Sequence, residues 1–324
     1  MYKRQVLLLP LKGYFQPWCD DVIDAIGNKH QLLDFKPSKP ILTQFDDNDV
    51  VIDHGGSVGT RRMMDVATSA KLWQILGTGF DHFDLEYIRR LGIPVANCPG
   101  GFSSGALADS AMMFILMLSR RYQQSADNFE SGVLYQPLSF ELSGQSLGII
   151  GLGASGEELA RRAKSFGMKI LAIDVRTIES QVLDELQPEF MGSPLDIDQI
   201  ITEVDFLSLH LHLNSETRHI IDARRISLMK STACLINVAR GELVDEQALH
   251  YALVNRKLGG AGLDVFTEEP PAPQAPVFQL PNVVITPHVA GVTYQTSRQR
   301  AACAAQNVDR IAQELSPFYR IDEN

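Results

Sequence analysis

A glycine-rich turn near the middle of the chain constrains the fold more than any other feature. Residues 146–150 form a nearly continuous apolar run, the sequence GLGASG follows at positions 151–156, and a helix-like stretch begins directly after it. In such a turn Gly151 permits the tight bend, Gly153 lets the backbone approach a pyrophosphate, and Gly156 allows close packing of helix on strand. The start of the helix offers free N–H groups and the positive end of its dipole to phosphates. A glycine triplet alone also fits an ordinary strand-to-helix turn, but this context predicts a dinucleotide site.

An acidic residue at the end of the next strand-like run strengthens this prediction. Asp174 stands 18 residues after Gly156 (174 − 156), where a carboxylate accepts hydrogen bonds from the adenosine ribose hydroxyls. Its negative charge also opposes a 2′-phosphate, so the sequence favours NAD over NADP. Arg176, two residues further on, is a cation that could soften this discrimination.

Apolar strand-like runs alternate with helix-like stretches along the chain, which is typical of an α/β protein with parallel sheets. The expected strands are 6–9, 50–52, 72–76, 147–150, 170–173, 206–209, 234–238 and 283–285. The expected helices include 106–121, 157–166, 246–255 and 294–315.

Two clusters of proline and glycine suggest domain borders. One is the sequence NCPGG at 97–101, and the other is TPHVAG at 286–291. We expect one domain to be inserted into another: 1–99 and 289–324 as the substrate domain, and 100–288 as the NAD-binding domain.

Composition narrows the classes of partner. The 324 residues carry 29 Lys plus Arg and 39 Asp plus Glu, a formal charge of −10 that repels polyanions, so we expect neither nucleic acid nor a membrane as a partner. An anionic substrate would need a local cluster of cations. The four cysteines form no Cys-x-x-Cys pair, and no apolar run reaches the ~20 residues of a membrane span. We expect a cytoplasmic protein with reduced thiols.

Three later segments carry groups capable of chemistry, and each follows an expected strand. They contain Arg240 in NVARG, Glu269 in GLDVFTEEP and His288 in TPH. Ligands of open α/β sheets gather at the carboxyl ends of strands. Taken singly, each residue also fits a plainer role: a surface ion pair, a loop carboxylate and a core histidine.

Together these pieces resemble the D-isomer-specific 2-hydroxyacid dehydrogenase family over about 72–291. The resemblance also includes GTGFD at 77–81, NCPG at 97–100, ETRH at 216–219 and Met229-Lys230. It implies two Rossmann-like, doubly wound parallel-sheet domains, with the nucleotide-binding domain inserted into a flavodoxin-like substrate domain. It also implies hydride transfer between NAD(H) and a small 2-hydroxy or 2-keto acid of the D series.

The resemblance assigns roles residue by residue. Arg240, Glu269 and His288 match the catalytic trio: His288 exchanges the proton, Glu269 orients it, and Arg240 holds the substrate carboxylate and carbonyl. Asp264 matches the residue that holds the nicotinamide carboxamide. The full implied cofactor set is Gly151, Gly153, Ala154, Ser155, Gly156, Asp174, Val238, Ala239, Arg240, Asp264, His288 and Gly291. The implied substrate set is Gly77, Thr78, Gly79, Arg240 and His288.

Some interpretations stay open at the level of sequence. The His-x-His pair His210-Leu211-His212 could bind a metal ion, but no further ligands lie at suitable spacing. A contact on the cofactor side or a packing role is therefore favoured, and we expect no metal. The same fold also serves formate- or phosphonate-type dehydrogenases and NAD(H)-sensing binding proteins. The 106–121 helix is apolar nearly all round, and its family equivalent packs across a dimer interface, so we expect a homodimer.

Overall fold

The computed structural model describes residues 3–10, 18–54 and 59–323. The chain divides into two compact units: the first comprises Met1–Phe102 and Val292–Asn324, and the second comprises Ser103–Gly291. These borders lie three residues beyond the expected ones at both crossings (102 − 99 and 291 − 288). Which unit serves substrate stays a prediction.

The first unit contains a parallel five-stranded sheet in the order β2-β1-β3-β4-β5. This is the flavodoxin-like order. Its strands are β1 (Gln5–Leu9), β2 (Gln31–Asp34), β3 (Val50–Asp53), β4 (Leu72–Ile75) and β5 (Val95–Ala96), and its helices are α1 (Trp18–Ile26), α2 (Leu42–Phe45), α3 (Arg61–Val66), α4 (Leu85–Arg90) and the C-terminal α12 (Tyr294–Ala312). Side chains of α12 pack with those of β1 and β3 on one face of this sheet.

The second unit contains a parallel seven-stranded sheet in the order β12-β11-β10-β9-β6-β7-β8. Counted from β6, this is the dinucleotide-binding order 3-2-1-4-5-6 with one added strand. Its strands are β6 (Ser146–Ile150), β7 (Lys169–Ile173), β8 (Phe190–Gly192), β9 (Phe206–Leu209), β10 (Cys234–Asn237), β11 (Gly260–Leu263) and β12 (Val283–Ile285), and its helices are α5 (Ser104–Ser119), α6 (Tyr122–Glu130), α7 (Ala154–Ser165), α8 (Ser180–Leu186), α9 (Ile197–Glu203), α10 (Ala223–Leu228) and α11 (Glu246–Val254).

The predicted fold class is confirmed, because both sheets are parallel and both are covered by helices. Apolar cores lie on both faces of the seven-stranded sheet, so its central strands are buried on both sides. This double burial explains the nearly continuous apolar runs of β6, β9 and β10.

Several expected element borders need correction. The 106–121 helix is α5, which ends at Ser119 because Arg121 adopts the left-handed conformation, with φ of 50°. The 157–166 helix begins earlier, at Ala154, inside the glycine turn. The 294–315 helix ends at Ala312. The strands 72–76 and 234–238 each end one residue sooner.

Four strands, β2, β5, β8 and β11, were missing from the expected list. Strand β11 lies inside its sheet but has the sequence GAGL, which forms only a weak apolar run. The other three lie at the edges of their sheets and are only two to four residues long. Short edge strands carry no long apolar run, so hydrophobic pattern does not reveal them. In the part of the chain that the structure describes, no helix is long and apolar enough to cross a membrane.

Candidate active site

The three chemically capable segments follow three neighbouring strands of the second unit. Arg240 lies three residues beyond β10, Glu269 lies in the segment after β11, and His288 lies three residues beyond β12. Because β10, β11 and β12 are adjacent and parallel, their carboxyl ends meet at one edge of the sheet. The fold therefore brings these residues, distant in sequence, to one place.

His288 and Glu269 form a hydrogen-bonded pair. The Nδ1 atom of His288 lies 2.7 Å from Oε2 of Glu269, whose Oε1 accepts a hydrogen bond of 3.1 Å from the N–H of Phe266. The His288 side chain keeps 48% of its accessible surface. A proton on Nδ1 directed at the carboxylate leaves Nε2 as the nitrogen that can exchange a proton with a ligand.

The carboxylate of this pair is held in its charged form. Burial alone would raise the pKa of Glu269, but the hydrogen bond and charge of His288, the N–H of Phe266 and the charge of Arg240 together lower it. Glu269 therefore remains an anion at neutral pH and can orient and stabilise an imidazolium.

Arg240 is fixed by the loop that follows β10. The Asn237 side chain donates a 2.8 Å hydrogen bond to the Arg240 carbonyl and accepts one of 3.1 Å from the N–H of Ala239. The next residue, Gly241, lies so close to the backbone after β11 that a Cβ there would fall 1.9 Å from the carbonyl carbon of Phe266. The glycine thus permits direct contact between the loop of Arg240 and the loop that leads to Glu269. Gly241 was not among the predicted site residues, although it directly follows a candidate catalytic arginine in the sequence.

A buried carboxylate holds the loop of His288. Asp264 is fully buried and accepts hydrogen bonds from the Thr286 hydroxyl at 2.5 Å and from the N–H groups of Val289 and Ala290 at 2.8 Å each. Its own carbonyl accepts a 2.8 Å bond from the N–H of His288, which adopts a left-handed φ of 53°. The structure therefore gives Asp264 a positioning task that the sequence did not suggest. Its expected contact with the nicotinamide carboxamide stays a prediction.

The glycine turn has the geometry of a phosphate-binding loop. Gly151 has a φ of 98°, and a Cβ there would lie 2.4 Å from the carbonyl oxygen of His210. A Cβ on Gly156 would lie 2.1 Å from the carbonyl oxygen of Gly151. Gly153 precedes the first residue of α7, the exposed Ala154, so the free N–H groups of this helix face the turn. These residues fit a dinucleotide pyrophosphate.

Asp174 already has a cationic partner. Its carboxylate accepts bonds of 3.0 and 3.1 Å from the Arg176 guanidinium, which also donates to the Leu152 carbonyl at 3.1 Å. Burial alone would raise the pKa of Asp174, but hydrogen bonds and charge from Arg176 lower it. A ribose at this place would meet an ionised carboxylate whose charge is balanced by Arg176. The spacing of the sequence could not reveal this ion pair.

His210 lies beside the glycine turn. Its ring nitrogens lie 2.9 Å from the hydroxyls of Ser155 and Ser208, and desolvation lowers its pKa to about 4. His212 is exposed. Over residues 3–10, 18–54 and 59–323, no cluster of three or more His, Cys, Asp or Glu side chains could hold a metal.

The remaining expected site residues have these places. Val238 and Ala239 are buried directly after β10, and Gly291 is the last residue of the second unit. Gly77, Thr78 and Gly79 follow β4 in the first unit, where Asn97 donates a 2.8 Å bond to the Thr78 carbonyl. Their role toward substrate stays a prediction.

Comparison with known proteins identifies the family of this chain. Residues 112–290 match the model of the D-isomer specific 2-hydroxyacid dehydrogenase NAD-binding domain. A glyoxylate reductase from Thermococcus onnurineus is 38% identical over 76% of this chain and 74% of its own length.

Two solved structures share the fold. The D-lactate dehydrogenase of Aquifex aeolicus, complexed with NAD and lactic acid, has a TM-score of 0.81 and 28% identity, covering 95% of this chain and 96% of its own. An NADPH-dependent glyoxylate/hydroxypyruvate reductase of Sinorhizobium meliloti, complexed with NADP and malonate, has a TM-score of 0.83 and 26% identity, covering 98% and 97%.

The chain belongs to the D-isomer specific 2-hydroxyacid dehydrogenase family, as its motifs predicted. The prediction of an oxidoreductase of this family, with a nicotinamide dinucleotide as its coenzyme, is confirmed at the level of NAD(P).

Proposed function

We propose that this enzyme interconverts a small 2-keto acid and the corresponding D-2-hydroxy acid with NAD(H), and that His288 exchanges the proton. The observation that carries the proposal is the 2.7 Å hydrogen bond between His288 and Glu269 at the edge of the dinucleotide-binding sheet. A histidine paired with a carboxylate suits general acid–base chemistry near neutral pH.

The proton chemistry follows from this pair. When bound, the reduced nicotinamide supplies the hydride that reaches the carbonyl carbon. The protonated His288 donates from Nε2 to the oxygen on which negative charge develops, and Glu269 stabilises the imidazolium beforehand. In the oxidative direction the neutral ring accepts the hydroxyl proton.

Arg240 supplies the local positive charge that an anionic substrate needs in a protein of net charge −10. Its planar guanidinium can donate two parallel hydrogen bonds to a carboxylate or its neighbouring carbonyl oxygen. The backbone amides of Gly77, Thr78 and Gly79, in the first unit, are further proposed substrate contacts.

Small 2-keto acids are the proposed substrates, in keeping with relatives named glyoxylate reductase and hydroxypyruvate reductase. The test is NADH oxidation with glyoxylate, hydroxypyruvate, pyruvate and bulkier 2-keto acids as alternative acceptors. Turnover with one or more of the small acids supports the proposal. Turnover only with formate or phosphonate, measured as NAD reduction, would contradict 2-keto acids as the substrate class. Tight NADH binding without any turnover would indicate a sensor.

NAD is the proposed physiological coenzyme, because the Asp174 carboxylate, just beyond the end of β7, would repel a 2′-phosphate. Relatives of this fold bind NAD in one solved structure and NADP in another, so the family alone does not decide. A lower KM for NADH than for NADPH is the expected result, and the reverse order would identify Arg176 as decisive.

We also propose a cytoplasmic homodimer, and the exposed apolar surface of the second unit supports the dimer. Helix α5 is largely covered within its own unit, so the uncovered side chains lie instead on α6 and the segment after it. They are Phe129, Val133, Leu134, Tyr135, Leu138 and Phe140. Tyr135 is 96% exposed and Leu138 is 86% exposed, which is unusual for a surface that meets only water.

Light scattering tests the dimer. We expect about twice the 35.9 kDa mass of one chain, and we expect Leu134→Asp combined with Leu138→Asp to lower it toward a single chain. Phe166→Asp is the matched control, because Phe166 is also exposed but lies at the end of α7. A mass of one chain for the unmodified protein at micromolar concentration contradicts the dimer.

A further inference from the structure

His210 and the glycine turn are in contact through both backbone and side chain. The His210 carbonyl packs against Gly151, and the His210 N–H donates a 2.8 Å hydrogen bond to the Ile150 carbonyl. On the side-chain level, Nδ1 lies 2.9 Å from the Ser155 hydroxyl, and Nε2 lies 2.9 Å from the Ser208 hydroxyl. His210 therefore connects the end of β9 to the first turn of α7.

The direction of these hydrogen bonds follows from the burial of Ser208. Ser208 has no exposed surface, and in the described part of the chain its hydroxyl has no hydrogen-bond partner except Nε2 of His210. A buried hydroxyl proton without an acceptor is costly, so Ser208 donates to Nε2. A neutral imidazole has one N–H, which must then lie on Nδ1 and donate to the Ser155 oxygen.

Ser155 is the second residue of α7, within the glycine turn. With its oxygen accepting from His210, its own proton remains available for another acceptor. The free N–H groups of the same helix end attract phosphate to this place. A hydroxyl proton aimed at a phosphoryl oxygen adds a charge-assisted hydrogen bond to those of the backbone.

We propose that the Ser155 hydroxyl binds the dinucleotide pyrophosphate and that His210 is the positioning residue that orients it. The proposal rests on the dinucleotide binding that belongs to the proposed function. It deepens that function by assigning a side-chain ligand to the pyrophosphate and a neutral histidine behind it.

The opposite tautomer predicts the opposite sign. If Nε2 carried the proton, Ser155 would donate to Nδ1 and turn its lone pairs toward the phosphate. Removing the hydroxyl would then leave the affinity unchanged or improve it. Binding measurements therefore discriminate between the two arrangements.

The test measures Kd by calorimetry for ADP-ribose, which contains the pyrophosphate, and for adenosine, which does not. Ser155→Ala should weaken ADP-ribose binding on the order of tenfold, the effect of losing one hydrogen bond to a charged group, and leave adenosine unchanged. His210→Asn keeps a donor near the Nδ1 position and should retain most of the affinity. His210→Gln, whose amide reaches toward Ser208 instead, should bind as weakly as Ser155→Ala.

Nitrogen-15 NMR of the unmodified protein provides an independent readout, with the His210 signals assigned from their loss in His210→Gln. The expected result is a neutral ring protonated on Nδ1. Protonation on Nε2, or Ser155→Ala affinity within twofold of the unmodified protein, overturns the proposal while dinucleotide binding stands. Failure of the unmodified protein to bind ADP-ribose or NADH would instead overturn the coenzyme site itself. Melting temperatures of the variants identify any that fail to fold.

Discussion

Two histidines lie at the carboxyl edge of the seven-stranded sheet in contrasting surroundings. His210 is held between two serine hydroxyls, and desolvation lowers its pKa to about 4, so it remains neutral at physiological pH. His288 is paired with the Glu269 carboxylate and keeps about half of its side chain exposed, at 48%. The first surroundings favour a ring that keeps one fixed tautomer, and the second favour a ring that gains and loses a proton.

The difference shows how neighbouring groups decide the work of an imidazole. A hydroxyl can accept or donate, so it satisfies a neutral ring without stabilising positive charge. A carboxylate stabilises the cation and makes reversible protonation available near neutral pH. The glycine side of the sheet is therefore suited to binding, and the β12 side is suited to chemistry.

The largest effect is expected from removing the proton donor. His288→Ala should lower kcat for keto-acid reduction by roughly 10²–10⁴, the usual contribution of a general acid, and flatten its pH profile. The matched control is His210→Gln, which should change kcat little and raise KM for NADH. The comparison fails if the two variants lose kcat equally, or if His288→Ala keeps near-normal reduction.

A second large effect is expected at Arg240. Arg240→Ala should lower kcat/KM by about 10², because hydrogen bonds to a charged partner are lost in both binding and turnover. The pH dependence should persist, since the His288–Glu269 pair remains. Arg240→Lys keeps the charge without the planar fork and should recover only part of the loss. Steady-state kinetics across pH would show an error here if the profile flattened with Arg240→Ala.

The pH dependence itself sharpens the contrast between the two rings. Reduction requires the imidazolium, so its kcat/KM should fall as His288 loses its proton with rising pH, and oxidation should rise over the same range. Because the surroundings lower the pKa of Glu269, the acid limb of reduction should begin below the usual range of a glutamate. In that acid range Glu269 takes up a proton and no longer stabilises the cation.

Glu269→Gln removes the stabilising charge at every pH. Reduction at neutral pH should fall by about tenfold, since a neutral amide does not stabilise the imidazolium that donates the proton. Unchanged reduction by Glu269→Gln would show that the carboxylate only orients the ring.

The smallest effect is expected on the binding side, at Asp174. Asp174→Ser should narrow the ratio of kcat/KM between NADH and NADPH by a few fold, consistent with losing one ribose hydrogen bond. Arg176→Ala is the paired variant, and it should weaken the use of NADPH more than that of NADH. If both substitutions changed kcat/KM equally for NADH and NADPH, Asp174 and Arg176 would not determine the coenzyme preference.

Much of the fold could be predicted, because two-sided burial produces long apolar runs in the central strands. The strand predictions were weakest where tertiary contacts, and not the local apolar pattern, determine the structure. Strand β11 has the sequence GAGL, a poor strand former, yet a Cβ on Gly262 would lie 2.6 Å from Phe114, so helix α5 packs directly onto it. Such a close approach depends on tertiary packing that no local pattern encodes.

The candidate site also contains some features that the sequence predicted and others that it did not. Arg240, Glu269, His288 and the glycine turn were identified from residue type and order. The bond from Arg176 to Asp174, the serines around His210 and the contact of Gly241 with Phe266 were not. Each depends on where a side chain or a neighbouring loop lies in three dimensions.

The buried Asp264 has a consequence for how enzymes of this kind diverge. It holds the loop of His288 in an uncommon left-handed conformation through the N–H groups of Val289 and Ala290, and it has no exposed surface of its own. Mutations that reshape the surroundings of a substrate can therefore accumulate without disturbing this support. Reaction type and substrate preference can evolve through separate residues, and a lineage can acquire a new substrate while it keeps its chemistry.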